Sequence, residues 1–213
     1  MTRLIILDFD GTLADTQPII IASIQAALRE LGLPECAAAE CKSIIGLPLK
    51  ECFNTLCGVD DDLAERCADV YRRVFDELNT DGTVRLIPHV LETIKALHDR
   101  GLQLAICSSR GRPTLDGFVK TFRLEHYVSM VVSANDVEHH KPHPEPVQKI
   151  LAALGIAPSE AFVVGDADYD ILMGRNAGCA TVGVSYGNGT VEELIQAGAD
   201  HIIDDFAKLV DLV

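Results

Sequence analysis

Short apolar runs recur along the chain, and most are followed by a longer stretch in which apolar residues have helical spacing. The runs contain few polar residues, which is typical of strands in a parallel sheet that is covered on both faces. Glycine or proline lies at most of the junctions and marks the turns there. The predicted strands are Leu4–Leu7, Leu102–Cys107, Val128–Val132, Ala161–Val164, Ala180–Val184 and His201–Ile203.

Helices are predicted between these strands, so the two kinds of element alternate along most of the chain. Such alternation is typical of an α/β fold, in which helices cover both faces of a parallel sheet. The predicted helices are Val90–Arg100, Thr114–Phe122, Pro144–Leu154, Asp170–Ala177 and Thr190–Ala197.

Residues 15–85 depart from this alternation, because they show helical spacing with no convincing strand among them. The pattern therefore predicts an α/β core made of residues 1–14 and 86–213, with residues 15–85 inserted after the first strand as a helical domain. The helices predicted in the insertion are Thr16–Leu31, Leu49–Leu56 and Asp62–Leu78.

Composition and charge narrow the classes of function. The 213 residues are 48% hydrophobic and 23% charged, which is ordinary for a globular protein. A formal net charge of −14 argues against non-specific binding to nucleic acids or to anionic membranes. No apolar run approaches the roughly 18 residues that span a bilayer, and the N-terminal residues lack the long apolar stretch of a signal peptide. We therefore expect a cytoplasmic protein, either monomeric or homodimeric.

Three groups of potential metal ligands have simpler explanations. The seven cysteines show no Cys-x-x-Cys spacing, which predicts reduced thiols packed as small apolar groups, with redox or metal roles as the alternative. The run Asp60–Asp62 is interpreted as the solvated start of a helix. Three histidines surround Lys141, but two prolines preclude a regular ligand face, so we interpret this segment as a polar loop. These residues are His139, His140, His143, Pro142 and Pro144.

Polar side chains follow four of the predicted strands. In an open parallel sheet, ligands bind at the carboxyl ends of the strands, so side chains that follow different strands can meet there. Taken singly, each is explained by a turn, a helix cap or a surface charge, and their convergence on one edge is the informative feature. The residues are Asp8 and Asp10, then Ser108, Ser109 and Arg110, then Lys141, and finally Asp166 and Asp170.

Several carboxylates at one edge would repel one another. Two unit charges 4 Å apart interact by about 4 kcal/mol at an effective dielectric constant near 20. A divalent cation relieves this repulsion, and oxygen ligands without His or Cys favour Mg²⁺. Together with Lys141, Mg²⁺ would contribute a charge of +3 and attract an anionic substrate to an acidic protein. Phosphoryl transfer fits this chemistry best.

The sequence resembles the haloacid dehalogenase-like superfamily of aspartate-nucleophile phosphotransferases along essentially its whole length. The run from Asp8 to Leu13 is similar to the first motif of the family, and Ser108 to its second. Lys141-Pro142 is similar to the third motif, and Gly165-Asp166 with Asp170 to the fourth. Within the family, the chain is most similar to the phosphoglycolate phosphatase and β-phosphoglucomutase branch. The resemblance implies a Rossmann-like core and an α-helical cap.

The resemblance also implies a role for each residue. Asp8 would attack phosphorus and form an aspartyl phosphate, while Asp10 would act as general acid and then as general base. Mg²⁺ would be held by the Asp8 carboxylate, the Asp10 main-chain carbonyl and Asp166. Asp170 would bind the ion through water or orient Lys141. Ser108, Ser109 and Lys141 would bind the phosphoryl oxygens.

Other activities in the superfamily are disfavoured by single residues. The second carboxylate, Asp10, is absent from the dehalogenases, and Ile20 stands where the mutases have histidine. Phosphonate-cleaving relatives use a cap lysine, for which Lys42 and Lys50 are candidates. We therefore expect a Mg²⁺-dependent phosphatase of a small phosphorylated metabolite. A phosphomutase or a non-catalytic phosphate-binding protein is the alternative.

Substrate choice is expected to depend on the cap segment from Cys41 to Lys50, which resembles the substrate-facing segment of the family. Ile45, Gly46 and Lys50 are the candidate residues there, although the lysines of this segment could equally face solvent. Arg110 and its neighbour Arg112, next to the serines, are similar candidates.

Overall fold

The computed structural model describes residues 2–213 and has a six-stranded sheet at its centre. Every neighbouring pair of strands in this sheet is parallel, and the strand order is β5-β4-β1-β6-β7-β8. The strands are β1 (Leu4–Leu7), β4 (Gln103–Cys107), β5 (Met130–Val132), β6 (Ala161–Gly165), β7 (Ala180–Val184) and β8 (His201–Ile203).

Helices cover both faces of the sheet, as the alternation of elements predicted. Successive residues of a strand point to opposite faces, so Leu4 and Ile6 contact one apolar cluster while Ile5 and Leu7 contact the other. The helices α5 and α6 pack on the face that carries Ile5 and Leu7, and α7 and α8 pack on the face that carries Leu4 and Ile6. The core helices are α5 (Val90–Asp99), α6 (Arg112–Thr121), α7 (Glu145–Leu154), α8 (Asp168–Asn176) and α9 (Val191–Ala197). The α/β fold is confirmed.

Between the neighbouring strands β1 and β4, the chain forms four helices that are inserted into the α/β core. The first and last of them, α1 and α4, pack side by side, and Asp60 caps α4 by accepting a hydrogen bond from the Leu63 N–H at 2.9 Å. The aspartate run is therefore a helix start, as predicted. The four helices are α1 (Gln17–Glu30), α2 (Ala38–Ser43), α3 (Leu49–Cys57) and α4 (Asp61–Leu78).

A two-stranded antiparallel ribbon joins these helices to the core. It pairs β2 (Ala14–Asp15) with β3 (Arg85–Leu86). The expectation of no strand within residues 15–85 is wrong, because two-residue strands are too short to show an alternating pattern. The sequence also missed α2, whose one buried residue, Cys41, leaves no apolar stripe. The domain bounds at residues 14/15 and 85/86 stay a prediction, and both fall within this ribbon.

All seven cysteines are free thiols, and five of them are buried as small apolar side chains. Burial raises the pKa of Cys107 to about 12 and that of Cys179 to about 11, which keeps both thiols protonated at neutral pH. This agrees with the predicted reduced state. Among residues 2–213, no helix has both the length and the apolar character needed to cross a membrane.

Candidate active site

The predicted residues meet at the carboxyl edge of the sheet. Asp8, Ser108, Lys141, Asp166 and Asp170 are all buried, although each is polar or charged. They line the floor of a cavity of about 580 Å³, and side chains from α1, α3 and α4 line the opposite wall. A cavity that combines apolar side chains with a few buried polar groups is typical of a small-molecule site.

The first strand places Asp8 and Asp10 through a tight turn. Asp8 continues the pairing of β1 with β6, since its N–H donates to the Val164 carbonyl at 2.9 Å. Gly11 then turns the chain with φ of 86°, a conformation that favours glycine. A β-carbon on Gly11 would also lie 2.3 Å from an oxygen of Asp166, so the turn packs directly against this carboxylate.

Lys141 lies between two carboxylates. Its Nζ is 2.5 Å from Asp8 Oδ1 and 2.7 Å from Asp170 Oδ1, and its side chain is 3% exposed. Burial disfavours the charged lysine, but Asp170 and Asp8 outweigh burial and raise the pKa of Lys141 well above its ordinary value. The lysine therefore stays charged and holds Asp8 in place.

Asp166 lies in a ring of hydrogen-bond donors. It accepts from Thr12 Oγ1 at 3.1 Å, from the Asn188 N–H at 2.6 Å and from Asn188 Nδ2 at 2.9 Å. Burial and the charge of Asp170 nevertheless raise the pKa of Asp166 to about 7. Burial is also the largest cause that raises the pKa of Asp8 well above its ordinary value. A surplus of buried negative charge therefore remains beside Lys141.

These residues fit a hard divalent cation. Carboxylate oxygens of Asp8, Asp166 and Asp170 lie within 4.8 Å of one another, and the donor atoms are all oxygens. The main-chain carbonyl of Asp10 lies beside them, because it accepts from Asn188 Nδ2 at 3.3 Å. A cation bound there would neutralise the charge surplus that raises the pKa values of Asp8 and Asp166.

Asn188 and Thr12 are site residues that the predictions missed. Thr12 belongs to the first motif but received no role of its own. Asn188 follows β7 in the segment Gly187-Asn188-Gly189. The signal that identifies Asn188 is its place just after the fifth predicted strand, at the same edge as the residues that follow the other four.

The carboxylate of Asp10 points away from the other three. It accepts a hydrogen bond from Thr16 Oγ1 at 2.6 Å. It also forms a bidentate ion pair with Arg110, at 3.1 Å to Nε and 2.5 Å to Nη2. The Arg110 guanidinium lies over the rings of Phe75 and Phe118, 4.7 and 5.2 Å from their centroids. The Asp10 side chain is therefore engaged by Thr16 and Arg110 and is not part of the group formed by Asp8, Asp166 and Asp170.

The two serines differ in their partners. Ser108 Oγ accepts from the Arg110 N–H at 3.1 Å, a local contact near the start of α6. Ser109 Oγ is buried and has no hydrogen-bond partner among the described residues. A buried hydroxyl without a partner is costly, and an oxygen of a bound ligand would satisfy it.

The candidate specificity residues separate into two groups. Ile45, Gly46, Lys50 and Arg110 line the cavity, whereas Lys42 and Arg112 do not. Lys50 Nζ binds Asp61 Oδ2 at 2.7 Å and is 39% exposed, so its charge is already paired at the cavity mouth. Arg112 pairs with Asp116 at 3.2 Å and with Asp136, outside the cavity.

His139 and His143 lie exposed on a loop without a helix or strand, as the prolines predicted. His139, His143 and Glu145 place ligand atoms within 4.8 Å of one another despite the intervening prolines. Loop geometry, not a regular element, gathers them. The Glu145 carboxylate accepts the N–H groups of Glu138 and His139 at 2.9 Å and contacts His139 Nδ1 at 2.8 Å. His140 points elsewhere and lines the cavity.

A doubly-wound sheet with helices inserted after its first strand, and an Asp-Lys-Asp cluster at its edge, defines a class of hydrolases. Comparison with known proteins places the chain in that class: residues 5–184 match the haloacid dehalogenase-like hydrolases, so the chain belongs to this family. The resemblance inferred from the motifs is confirmed. The chain is an enzyme of this family.

Curated relatives extend over almost the whole chain. It is 36% identical over 209 residues to the pyrophosphatase PpaX of Bacillus pumilus, covering 98% of this chain and 95% of the relative. It is 32% identical over 230 residues to the phosphoglycolate phosphatase of Salmonella typhimurium, covering 98% and 91% of the two chains.

Solved structures show the same fold. A hydrolase from Pseudomonas syringae superposes with a TM-score of 0.89 at 26% identity, over 100% of this chain and 98% of that one. A protein from Haemophilus somnus described as a predicted phosphoglycolate phosphatase superposes with a TM-score of 0.87 at 27% identity, over 99% and 97% of the two chains.

Proposed function

We propose that this protein is a Mg²⁺-dependent phosphatase of a small phosphorylated metabolite, with Asp8 as the nucleophile. The observation that carries the proposal is the placement of Lys141 between Asp8 and Asp170, beside Asp166 and at the cavity that these residues line. The phosphatase and pyrophosphatase relatives support the reaction class. The net charge of −14 favours a small metabolite over nucleic acid as the substrate.

The reaction would proceed in two displacements. An oxygen of Asp8 attacks phosphorus, the bond to the leaving oxygen breaks, and Asp10 donates a proton to that oxygen. Water then attacks the aspartyl phosphate, Asp10 accepts a proton from it, and the release of inorganic phosphate restores Asp8. Lys141 and the unpartnered Ser109 hydroxyl bind phosphoryl oxygens, where the charge of the transition state lies.

Asp8, Asp166, Asp170 and the Asp10 carbonyl would hold Mg²⁺. When bound, the ion would neutralise the charge of the phosphoryl oxygens and help to present phosphorus to Asp8. Ile20 lines the cavity and offers no acid or base to a reacting hydroxyl, which favours hydrolysis over phosphoryl transfer back to a sugar.

The direct test is phosphate release from p-nitrophenyl phosphate and a panel of metabolite phosphates, with Mg²⁺ or with EDTA. The panel contains phosphoglycolate, pyrophosphate, nucleotides and sugar phosphates. We expect turnover that requires Mg²⁺ and falls at least about 1,000-fold in Asp8→Asn, because the nucleophile is lost. Asp168→Asn, a change of the same kind at the first residue of α8 and outside the cavity lining, should retain activity. A wild-type enzyme inert toward every phosphate in the presence of Mg²⁺ would overturn the proposal.

A further inference from the structure

Arg110 lines the cavity and carries a buried cationic side chain. Its side chain is 7% exposed, and its guanidinium donates hydrogen bonds to both carboxylate oxygens of Asp10. Phe75, from α4, and Phe118, from α6, lie against its guanidinium. The guanidinium is therefore held in position by aromatic rings from both the helical insertion and the core.

The other described lysines and arginines that line the cavity differ from Arg110 in their position or in their exposure. Lys141 is held between Asp8 and Asp170. Lys50 pairs with Asp61, and Arg72 pairs with Glu65 and Asp69 while its side chain is 52% exposed. Among the described lysines and arginines that line the cavity, Arg110 alone is both buried and placed beside the proposed general acid.

We propose that Arg110 binds a second anionic group, carried by the part of the substrate that leaves. The inference rests on the proposed function, in which Asp10 faces the leaving oxygen. The Arg110 guanidinium donates two hydrogen bonds to Asp10. Because Asp10 faces the leaving oxygen, the guanidinium also lies next to the leaving group. Its planar fork matches a carboxylate or a phosphate, either of which can share or replace Asp10 as its partner. The preferred substrates are therefore phosphate esters or anhydrides with an anionic leaving group.

A matched pair of substrates isolates this contact. Phosphoglycolate carries a carboxylate where 2-hydroxyethyl phosphate carries a neutral hydroxymethyl group, and pyrophosphate supplies a phosphate in the same place. We expect kcat/KM of the wild type to be higher for the anionic substrates. In Arg110→Gln the anionic substrates should lose about 10- to 100-fold more kcat/KM than 2-hydroxyethyl phosphate, the loss expected for one charged hydrogen-bonded contact. The larger loss of phosphoglycolate or pyrophosphate identifies which anion is bound.

The ratio between phosphoglycolate and 2-hydroxyethyl phosphate is the decisive quantity, because both release an alkoxide that needs a proton from Asp10 and a disturbed Asp10 would lower both rates alike. Arg110→Met, which retains an apolar stem between the rings, checks that the loss is not due to unfolding. Arg72→Gln and Arg112→Gln are matched controls. An equal loss for charged and neutral substrates would overturn the inference, as would a selective loss in Arg72→Gln.

Failure of the proposed function would be recognised separately, as absence of turnover for every ester with Mg²⁺ present. The inference would then be decided by calorimetric binding of phosphoglycolate and 2-hydroxyethyl phosphate. Tighter binding of phosphoglycolate that disappears in Arg110→Gln supports it. Equal changes in the affinity for both compounds contradict it.

Discussion

Lys141 stabilises the cluster of carboxylates as long as no metal is bound. Replacing it with methionine leaves Asp8, Asp166 and Asp170 buried without a cation. We expect Lys141→Met to lower the free energy of unfolding by about 3–5 kcal/mol in EDTA, the cost of breaking a buried ion pair. Urea denaturation at pH 8 measures it. Lys149→Met, at an exposed lysine, should cost less than about 1 kcal/mol, and similar losses in the two variants would contradict the role of Lys141.

The raised pKa of Asp166 predicts how stability depends on pH. Its pKa is about 7 in the folded protein and 3.8 ordinarily, so the folded state retains a proton that the unfolded state has lost. The stability from this group is complete below pH 3.8 and is lost as pH rises through 7. We expect the metal-free protein to lose up to about 1.4 kcal/mol per pH unit across this window.

Denaturation in EDTA between pH 5 and pH 8 measures this slope. The slope should be shallower in Asp166→Asn, which has no proton to lose. Unchanged slopes would assign the pH dependence to other groups. Mg²⁺ should reduce the slope in the wild type, because the bound cation favours the ionised carboxylate.

The sequence could predict which side chains come together only where the strand topology alone determines their positions. Asp8, Ser108, Lys141 and Asp166 follow different parallel strands, and the sheet brings the strand ends to one edge. The bond between Arg110 and Asp10 was not predictable. It depends on the path of two loops 100 residues apart and on the rings that flank the guanidinium.

At the scale of elements, the loop after β7 sets the position of Asp166. A β-carbon on Gly187 would lie 2.2 Å from that of Asp166, so Gly187→Ala must displace either the loop or the carboxylate. We expect a 10- to 100-fold loss of activity or Mg²⁺ affinity, about the effect of disturbing the surroundings of a metal ligand. Mg²⁺ titration followed by calorimetry checks it.

The control for this variant is Gly117→Ala, in the interior of α6, where an added β-carbon meets no atom within 4 Å. Because alanine favours the helix, this change should stabilise the protein by about 0.5–1 kcal/mol and leave Mg²⁺ binding unchanged. Wild-type affinity in Gly187→Ala would show that the loop accommodates the methyl group.

The bounds of elements with a long apolar pattern were predicted to within two residues, and the elements that the sequence missed are short. For α1, α3 and α4, one face packs in the core and leaves a regular stripe in the sequence. The ribbon of β2 and β3 is held by main-chain pairing over two residues each, which no pattern of side chains records.

At the scale of the whole molecule, the net charge of −14 and the local cluster act over different distances. Salt screens exposed charges beyond a Debye length of about 10 Å at 0.1 M, so NaCl should raise the melting temperature by reducing general repulsion. MgCl₂ at the same ionic strength should raise it further through site binding. In Asp166→Asn the NaCl shift should persist and the excess from Mg²⁺ should shrink. Differential scanning calorimetry measures both, and an undiminished excess would place the ion elsewhere.

The ribbon of β2 and β3 has a consequence for how such proteins diversify. Asp15 and Arg85 are partners across it, so the segment from residue 16 to residue 84 leaves and rejoins the core at one point. A segment of different length or shape could be spliced between the same two residues without altering the order of the sheet. Such a graft would replace the wall formed by Ile20, Tyr71 and Phe75 and retain the carboxylates below it. Recombination at this junction would thus change the shape of the substrate that fits the cavity, while Arg110 and the carboxylates of the core are retained.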